Sequence, residues 1–160
     1  MRLKFFTAGI AALAGTFVVL GLTGIGNSAA AEAADTPPVA VEDFAYPNAD
    51  KILAEQGILL KSGDGHITLA DCASETGLLE VLSRDNDKFC FKVTGTTGYL
   101  ALELAKVYGV KGNDYTVQID MTVDNSEVSY DIGKNTWTQV GEAADPTKRP
   151  HTLMEIRATK

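Results

Sequence analysis

Two cysteines, two histidines and one tryptophan are all that 160 residues contain of those types, and basic side chains are outnumbered by acidic ones. Each shortage removes a class of function. His66, His151, Cys72 and Cys90 are too few soft ligands for a structural metal site, so no metal and no cofactor are expected. Fourteen Lys and Arg against 21 Asp and Glu leave a net charge of −7. Phosphate binding needs a basic surface, so nucleic acid and anionic membranes are poor partners for this chain. No Gly-x-Ser-x-Gly nucleophile elbow is present, and no apolar run after Ile25 is long enough to cross a bilayer. No internal repeat is evident.

What is there begins with the three parts of an export signal. Arg2 and Lys4 are followed by an uncharged apolar run from Phe5 to Ile25 and then by small residues from Ser28 to Ala34. The small-x-small rule is met at Ala29-Ala30-Ala31 and at Ala31-Glu32-Ala33, which predicts cleavage after Ala31 or Ala33. Gly9, Gly15, Gly21, Gly24 and Gly26 weaken a spanning helix, and no basic stop-transfer cluster follows. Residues 1–33 are therefore read as a signal peptide, and the mature protein as secreted, extracellular and free of the membrane. Taking Arg2, Lys4 and Glu32 from the 14 basic and 21 acidic residues leaves 12 and 20, a net charge of −8. The remainder, about 125 residues, suits one domain with a real core.

In an oxidising compartment an isolated pair of cysteines predicts a Cys72–Cys90 disulfide. Alternation in Lys88-Phe89-Cys90-Phe91-Lys92-Val93 sets Cys90 with two lysines, opposite Phe89, Phe91 and Val93. Cys72 likewise falls opposite Ile67 and Leu69, so both sulfurs point away from the main apolar face.

Residues 34–47 read as an extended, acidic, proline-containing arm with no periodicity. The arm nevertheless carries Val39, Val41, Phe44 and Tyr46, which need a surface to cover: the flank of their own domain or a partner. Residues 48–160 form the domain. Asn48 as N-cap and Gly57 as terminator predict a short helix between them, packed through Ile52, Leu53 and Ile58. Beyond it the hydrophobic period is two. Strands are predicted at His66–Cys72, Gly77–Arg84, Lys88–Thr94, Tyr99–Lys106, Tyr115–Val123, Glu127–Ile132, Thr136–Val140 and Thr152–Ala158. Turn signals separate them, among them 62–65 and 109–114. Val117, Ile119, Met121 and Val123 against Thr116, Gln118, Asp120 and Thr122 show one buried and one wet face, as antiparallel sheets allow. The expected fold is all-β: an antiparallel β-sandwich with one short N-terminal helix and a single disulfide.

No catalytic set assembles in the sequence. His66 follows Ser62-Gly63-Asp64-Gly65 at a loop edge, and Asp85-Asn86-Asp87 lacks the glycine and distal glutamate of a calcium loop. Trp137 is either a core plug between sheets or an exposed anchor for a ligand.

Several stretches carry a resemblance that covers most of the chain after the signal. They are Lys51-Ile-Leu-Ala-Glu-Gln-Gly-Ile58, Lys61-Ser-Gly-Asp-Gly-His66, the run from Cys90 to Glu103, Val107-Tyr-Gly-Val-Lys-Gly112 and Trp137-Thr-Gln-Val-Gly-Glu142. Together they resemble a family of small secreted proteins of filamentous actinobacteria. In size, export signal and arm the chain is also similar to the small adaptor subunit of umbrella toxin particles. That resemblance implies a non-catalytic linker between a lectin-like, trypsin-fold subunit and a large repeat-bearing toxin, with the arm inserted into the lectin-like subunit. The expectation is thus a secreted protein-binding module and not an enzyme, with Val39, Val41, Phe44, Tyr46 and Trp137 as partner contacts. The alternatives are an inhibitor of a secreted hydrolase presenting Gly95-Thr96-Thr97-Gly98, and a small secreted hydrolase using His66 or His151 with nearby carboxylates.

Overall fold

A computed structural model of the protein describes residues 44–160. The signal region and the arm up to residue 43, Val39 and Val41 included, lie outside the described residues. In chain order the elements are α1 (Ala49–Gln56), β1 (Leu59–Gly63), β2 (Ile67–Ala70), β3 (Leu79–Ser83), β4 (Lys88–Val93), β5 (Thr97–Leu104) and β6 (Val107–Lys111). There follow β7 (Thr116–Val123), β8 (Ser126–Ile132), β9 (Trp137–Gln139), a 3-10 turn at Gly141–Ala143 and β10 (Thr152–Thr159).

The strands form two five-stranded sheets, ordered β1-β5-β10-β7-β8 and β2-β4-β3-β6-β9, and each named pairing is antiparallel. One apolar core lies between them. The first sheet contributes Leu100, Leu102, Leu104, Val117, Ile119, Met121 and Ile156; the second contributes Leu79, Val81, Phe91 and Val110, all fully buried or nearly so. The protein is an antiparallel β-sandwich with one short helix. Burial of such side chains stabilises by about 1.5–3 kcal/mol each, so the period-two pattern sets which face of every strand turns inward.

The Cys72–Cys90 disulfide is formed, with Cα atoms 5.2 Å apart. Cys90 lies on the outer face of its sheet, between the exposed Lys88 and Lys92 and opposite Glu80. It is still buried, because the bridge to Cys72 folds over it. Among the described residues no helix is long and apolar enough to cross a membrane.

Three local expectations are corrected. Asn48 does not cap α1 with its side chain. It sits in the left-handed region (φ 58°), which asparagine tolerates, and its carbonyl accepts the first helical N–H from Ile52. Gly57, by contrast, ends the helix as expected, left-handed at φ 73° with its N–H on the Leu53 carbonyl. Residues 109–114 are not one turn, since Gly109 to Lys111 belong to β6. The reversal comes earlier, at Ala105-Lys106, with Lys106 left-handed (φ 54°), so β5 stops at Leu104. Likewise β1 runs through Gly63, where a turn had been predicted.

Candidate functional site

The described end of the arm is held by backbone bonds. Ala45 bridges to Ser62 on β1. The Tyr46 N–H donates to the Lys61 carbonyl at 2.9 Å, and the Gly63 N–H donates to the Phe44 carbonyl at 3.1 Å. Residues 44–46 thus lie antiparallel along the outer side of β1. Tyr46 then turns inward. Its ring packs on the core, and its hydroxyl accepts the Leu69 N–H at 2.8 Å.

That last bond has a clear cause. Thr94 N–H donates to the His66 carbonyl at 2.9 Å, which fixes the hydrogen-bonding phase of the β2–β4 pair. Ile67 and Leu69 consequently turn their backbone groups away from β4, toward the free side of β2. Tyr46 reaches from the edge of one sheet to the edge of the other and satisfies one of those donors.

Phe44 is treated differently from Tyr46. It remains 62% exposed, at the mouth of a cavity of about 550 Å³ lined also by Tyr46, Pro47, Ile52, Asp64 and Ile67. Asp64 is the charged group of that lining. Burial pushes its carboxyl pKa up, but the backbone N–H groups of His66 and Tyr99 and the nearby His66 imidazole outweigh this and hold it below the ordinary carboxylate value.

Trp137 lies on β9, the short outermost strand of the second sheet, and is 50% exposed. It does not plug the core. It is paired with Lys111 across the strands, and a Cβ placed on Gly109 would lie 4.0 Å from its Cε3 and 3.6 Å from Leu82 Cδ1. The indole therefore shields the glycine with one flank and meets solvent with the rest. The structure brings Phe44 and Tyr46 together but sets Trp137 at the far edge of the other sheet, beyond β4, β3 and β6.

The histidines are also apart. His66 is exposed, with Nδ1 3.5 Å from Asp64 Oδ2. His151 is buried, its Nδ1 2.9 Å from the Arg149 carbonyl and its Nε2 3.9 Å from Asp145 Oδ2. Asp145 in turn accepts the Thr147 N–H and hydroxyl, each at 2.7 Å, and the Arg149 guanidinium at 2.7 and 2.8 Å. Chiefly through the Thr147 bonds and then through Arg149, and against the desolvation of its carboxyl, its pKa is held down to about 2. Among the described residues no hydroxyl or thiol is hydrogen-bonded to either imidazole ring, and no three potential ligands cluster as a metal would require. Asp85-Asn86-Asp87 is a hairpin turn, with Asp87 left-handed (φ 53°) and Asp85 paired to Lys106 at 2.9 Å.

The tie from Tyr46 to Leu69 was not anticipated from the sequence. Its one signal is that a tyrosine, in place of a second phenylalanine, ends the arm. The fold places this protein among antiparallel β-sandwiches. No protein-family model matches the chain, and no curated protein matches it.

Proposed function

We propose that this is an exported, non-catalytic protein-binding module, and that its N-terminal arm is the segment that engages the partner. The observation that carries the reading is Phe44. It is the first described residue of an arm already added to a sheet edge, yet its large apolar side chain stays in solvent beside a cavity. A phenylalanine of that exposure on a backbone-anchored segment, at a cavity lined also by Tyr46, Pro47, Ile52 and Ile67, suits insertion into another protein's groove. Val39 and Val41, upstream on the same arm, extend the apolar surface available to it. The arrangement of His151 and Asp145, each engaged within the fold, supports a structural role for the buried pair. The formed disulfide suits an oxidising, extracellular setting. Following the resemblance, the partner is the lectin-like subunit of an extracellular antibacterial toxin complex, with this chain as the adaptor to a large repeat-bearing toxin.

The test is an affinity pull-down of the tagged mature protein from the producer's culture supernatant, read by mass spectrometry, beside a variant that lacks residues 34–43 and also carries Phe44→Ala. Recovery of a secreted partner by the full arm and its loss with the truncated one is the expected result. Equal recovery by both would move the contact off the arm. A monomeric protein recovered alone would defeat the adaptor reading.

A further inference from the structure

Strand β8 ends the first sheet, and its geometry fixes what it offers. The β7–β8 hairpin turns through Asp124 and Asn125, both left-handed (φ 48° and 62°), and closes on the Val123–Ser126 pair. A two-residue turn of that hand makes the closing pair exchange both hydrogen bonds, and the pairs alternate from there. Thr122–Glu127, Asp120–Ser129 and Gln118–Asp131 are the pairs that do not exchange bonds. The N–H and C=O groups of Glu127, Ser129 and Asp131 therefore point away from β7, to a side where no strand pairs among the described residues.

The side chains divide with the same period. Val128 and Tyr130 lie on the inner face but are only partly covered, while Glu127, Ser129 and Asp131 are exposed on the outer one. Beneath them Asp120 is already paired with Arg157 and accepts the Ser129 hydroxyl at 2.6 Å. Asp131 has the neutral Gln118 amide at 3.3 Å, and Glu127 has no ion pair among the described residues. The register is unbroken, and residues 126–132 contain neither proline nor lysine, so the edge is guarded only by the acidic Glu127 and Asp131.

We infer that the outer edge of β8 docks an extended segment of a partner protein in which apolar and basic side chains alternate. Antiparallel addition would satisfy the outward backbone groups of Glu127, Ser129 and Asp131. Apolar residues opposite Val128 and Tyr130 complete the margin of the core. Lysine or arginine opposite Glu127 and Asp131 supplies the opposite charge. A basic segment fits better than a second copy of this chain, because every two-fold pairing of β8 on itself brings two acidic strands together, and pairing about Ser129 sets Glu127 directly against Asp131 twice. The site is at the other end of the sheet from residues 44–46 and stands or falls independently of the arm's role.

The experiment uses the full mature chain and, as probe, a synthetic peptide of about nine alternating valine and lysine residues, a length that spans one strand. Expected are saturable binding at moderate salt and about tenfold slower amide exchange at Glu127, Ser129 and Asp131. Both should be lost in an E127K/D131K variant, and both should be unchanged when residues 34–43 are removed. Ser129→Pro deletes an outward donor without touching the β7 ladder, so it too should abolish binding while the fold persists. The same peptide N-methylated on its pairing amides, or scrambled at equal composition, should not bind. Equal binding of either control would reduce the effect to attraction between a cation and an acidic protein and overturn the proposal. Failure of the alternating peptide to bind the intact chain would overturn it as well.

Discussion

At one side of the sandwich, β1 carries a bulge between Leu60 and Ser62, residues 44–46 lie along its outer edge, and Tyr46 crosses to β2. The disulfide sits near that side too, joining Cys72, two residues past the end of β2, to Cys90 on β4. At the other side β8 runs in perfect register with nothing beyond it among the described residues, and β9 is three residues long with Trp137 half in solvent. Both sides face the same physical problem of unpaired strand edges. The first is closed by the chain itself. The second is left open, defended against self-association by acidic side chains alone. Closure by covalent and hydrogen-bonded ties fixes shape, whereas an edge guarded by charge remains available to whatever carries the opposite charge.

The largest effect should come from cutting the covalent tie. Replacing both cysteines with serine should cost about 3 kcal/mol in the chain-entropy model, read as a lowered denaturant midpoint with a steeper slope, because the unfolded chain is no longer cross-linked. Next is Tyr46→Ala, which removes a ring packed on the core and the acceptor for Leu69 N–H, and should cost about 2 kcal/mol. Tyr46→Phe separates the two contributions. A loss of about 1 kcal/mol assigns half the effect to the hydroxyl, whereas no loss means that water replaces it in the adjacent cavity. On the open side Trp137→Ala should cost only about 1 kcal/mol, since half of the indole is already wet. A loss as large as that of Tyr46→Ala would erase the contrast between the two sides.

Much of this was written in the sequence, and the misses have local causes. The strand from Tyr115 to Val123 and the run from Tyr99 to Leu104 are legible because one buried and one wet face impose strict alternation. Val107-Tyr108-Gly109-Val110-Lys111 was obscured by its glycine. Gly109 reads as a break, but in the sheet it is the residue over which Trp137 and Leu82 fold. Lys106 gave no turn signal, since its left-handed backbone is imposed by the hairpin and not preferred by lysine. Of the candidate contacts, Phe44 was legible only as an apolar arm residue in need of a surface, its own domain's flank or a partner. The difference between Phe44 and Tyr46 was not, because it depends on where β2 points the Leu69 N–H. The open edge of β8 was out of reach for a similar reason: no composition rule says which strand ends a sheet.

The last expected effect is the most selective, and it concerns acid. Arg149 joins Asp145 at 2.7 Å to Asp124 in the β7–β8 turn at 3.1 Å, so the ionised Asp145 carboxylate steadies the open side. Its pKa is about 2 in the folded protein against an ordinary 3.8. A depressed carboxylate contributes stability that is fully present above the unfolded value and is lost as pH falls through the folded one. The window is therefore from about pH 4 down to about pH 2. Across it the native protein should lose stability relative to an Asp145→Asn variant, so the gap between their unfolding free energies narrows as the solution is acidified. Amide exchange should quicken first around Asp124 and Asn125, while the Leu69 amide, held by the Tyr46 hydroxyl at the closed side, should be unaffected until global unfolding. A gap that stays constant across the window would mean that Asp145 acts through bonds its neutral form can also make. Faster exchange at Leu69 in step with Asp124 would mean that the two sides are one cooperative unit, and the contrast between them would then lie in their geometry alone.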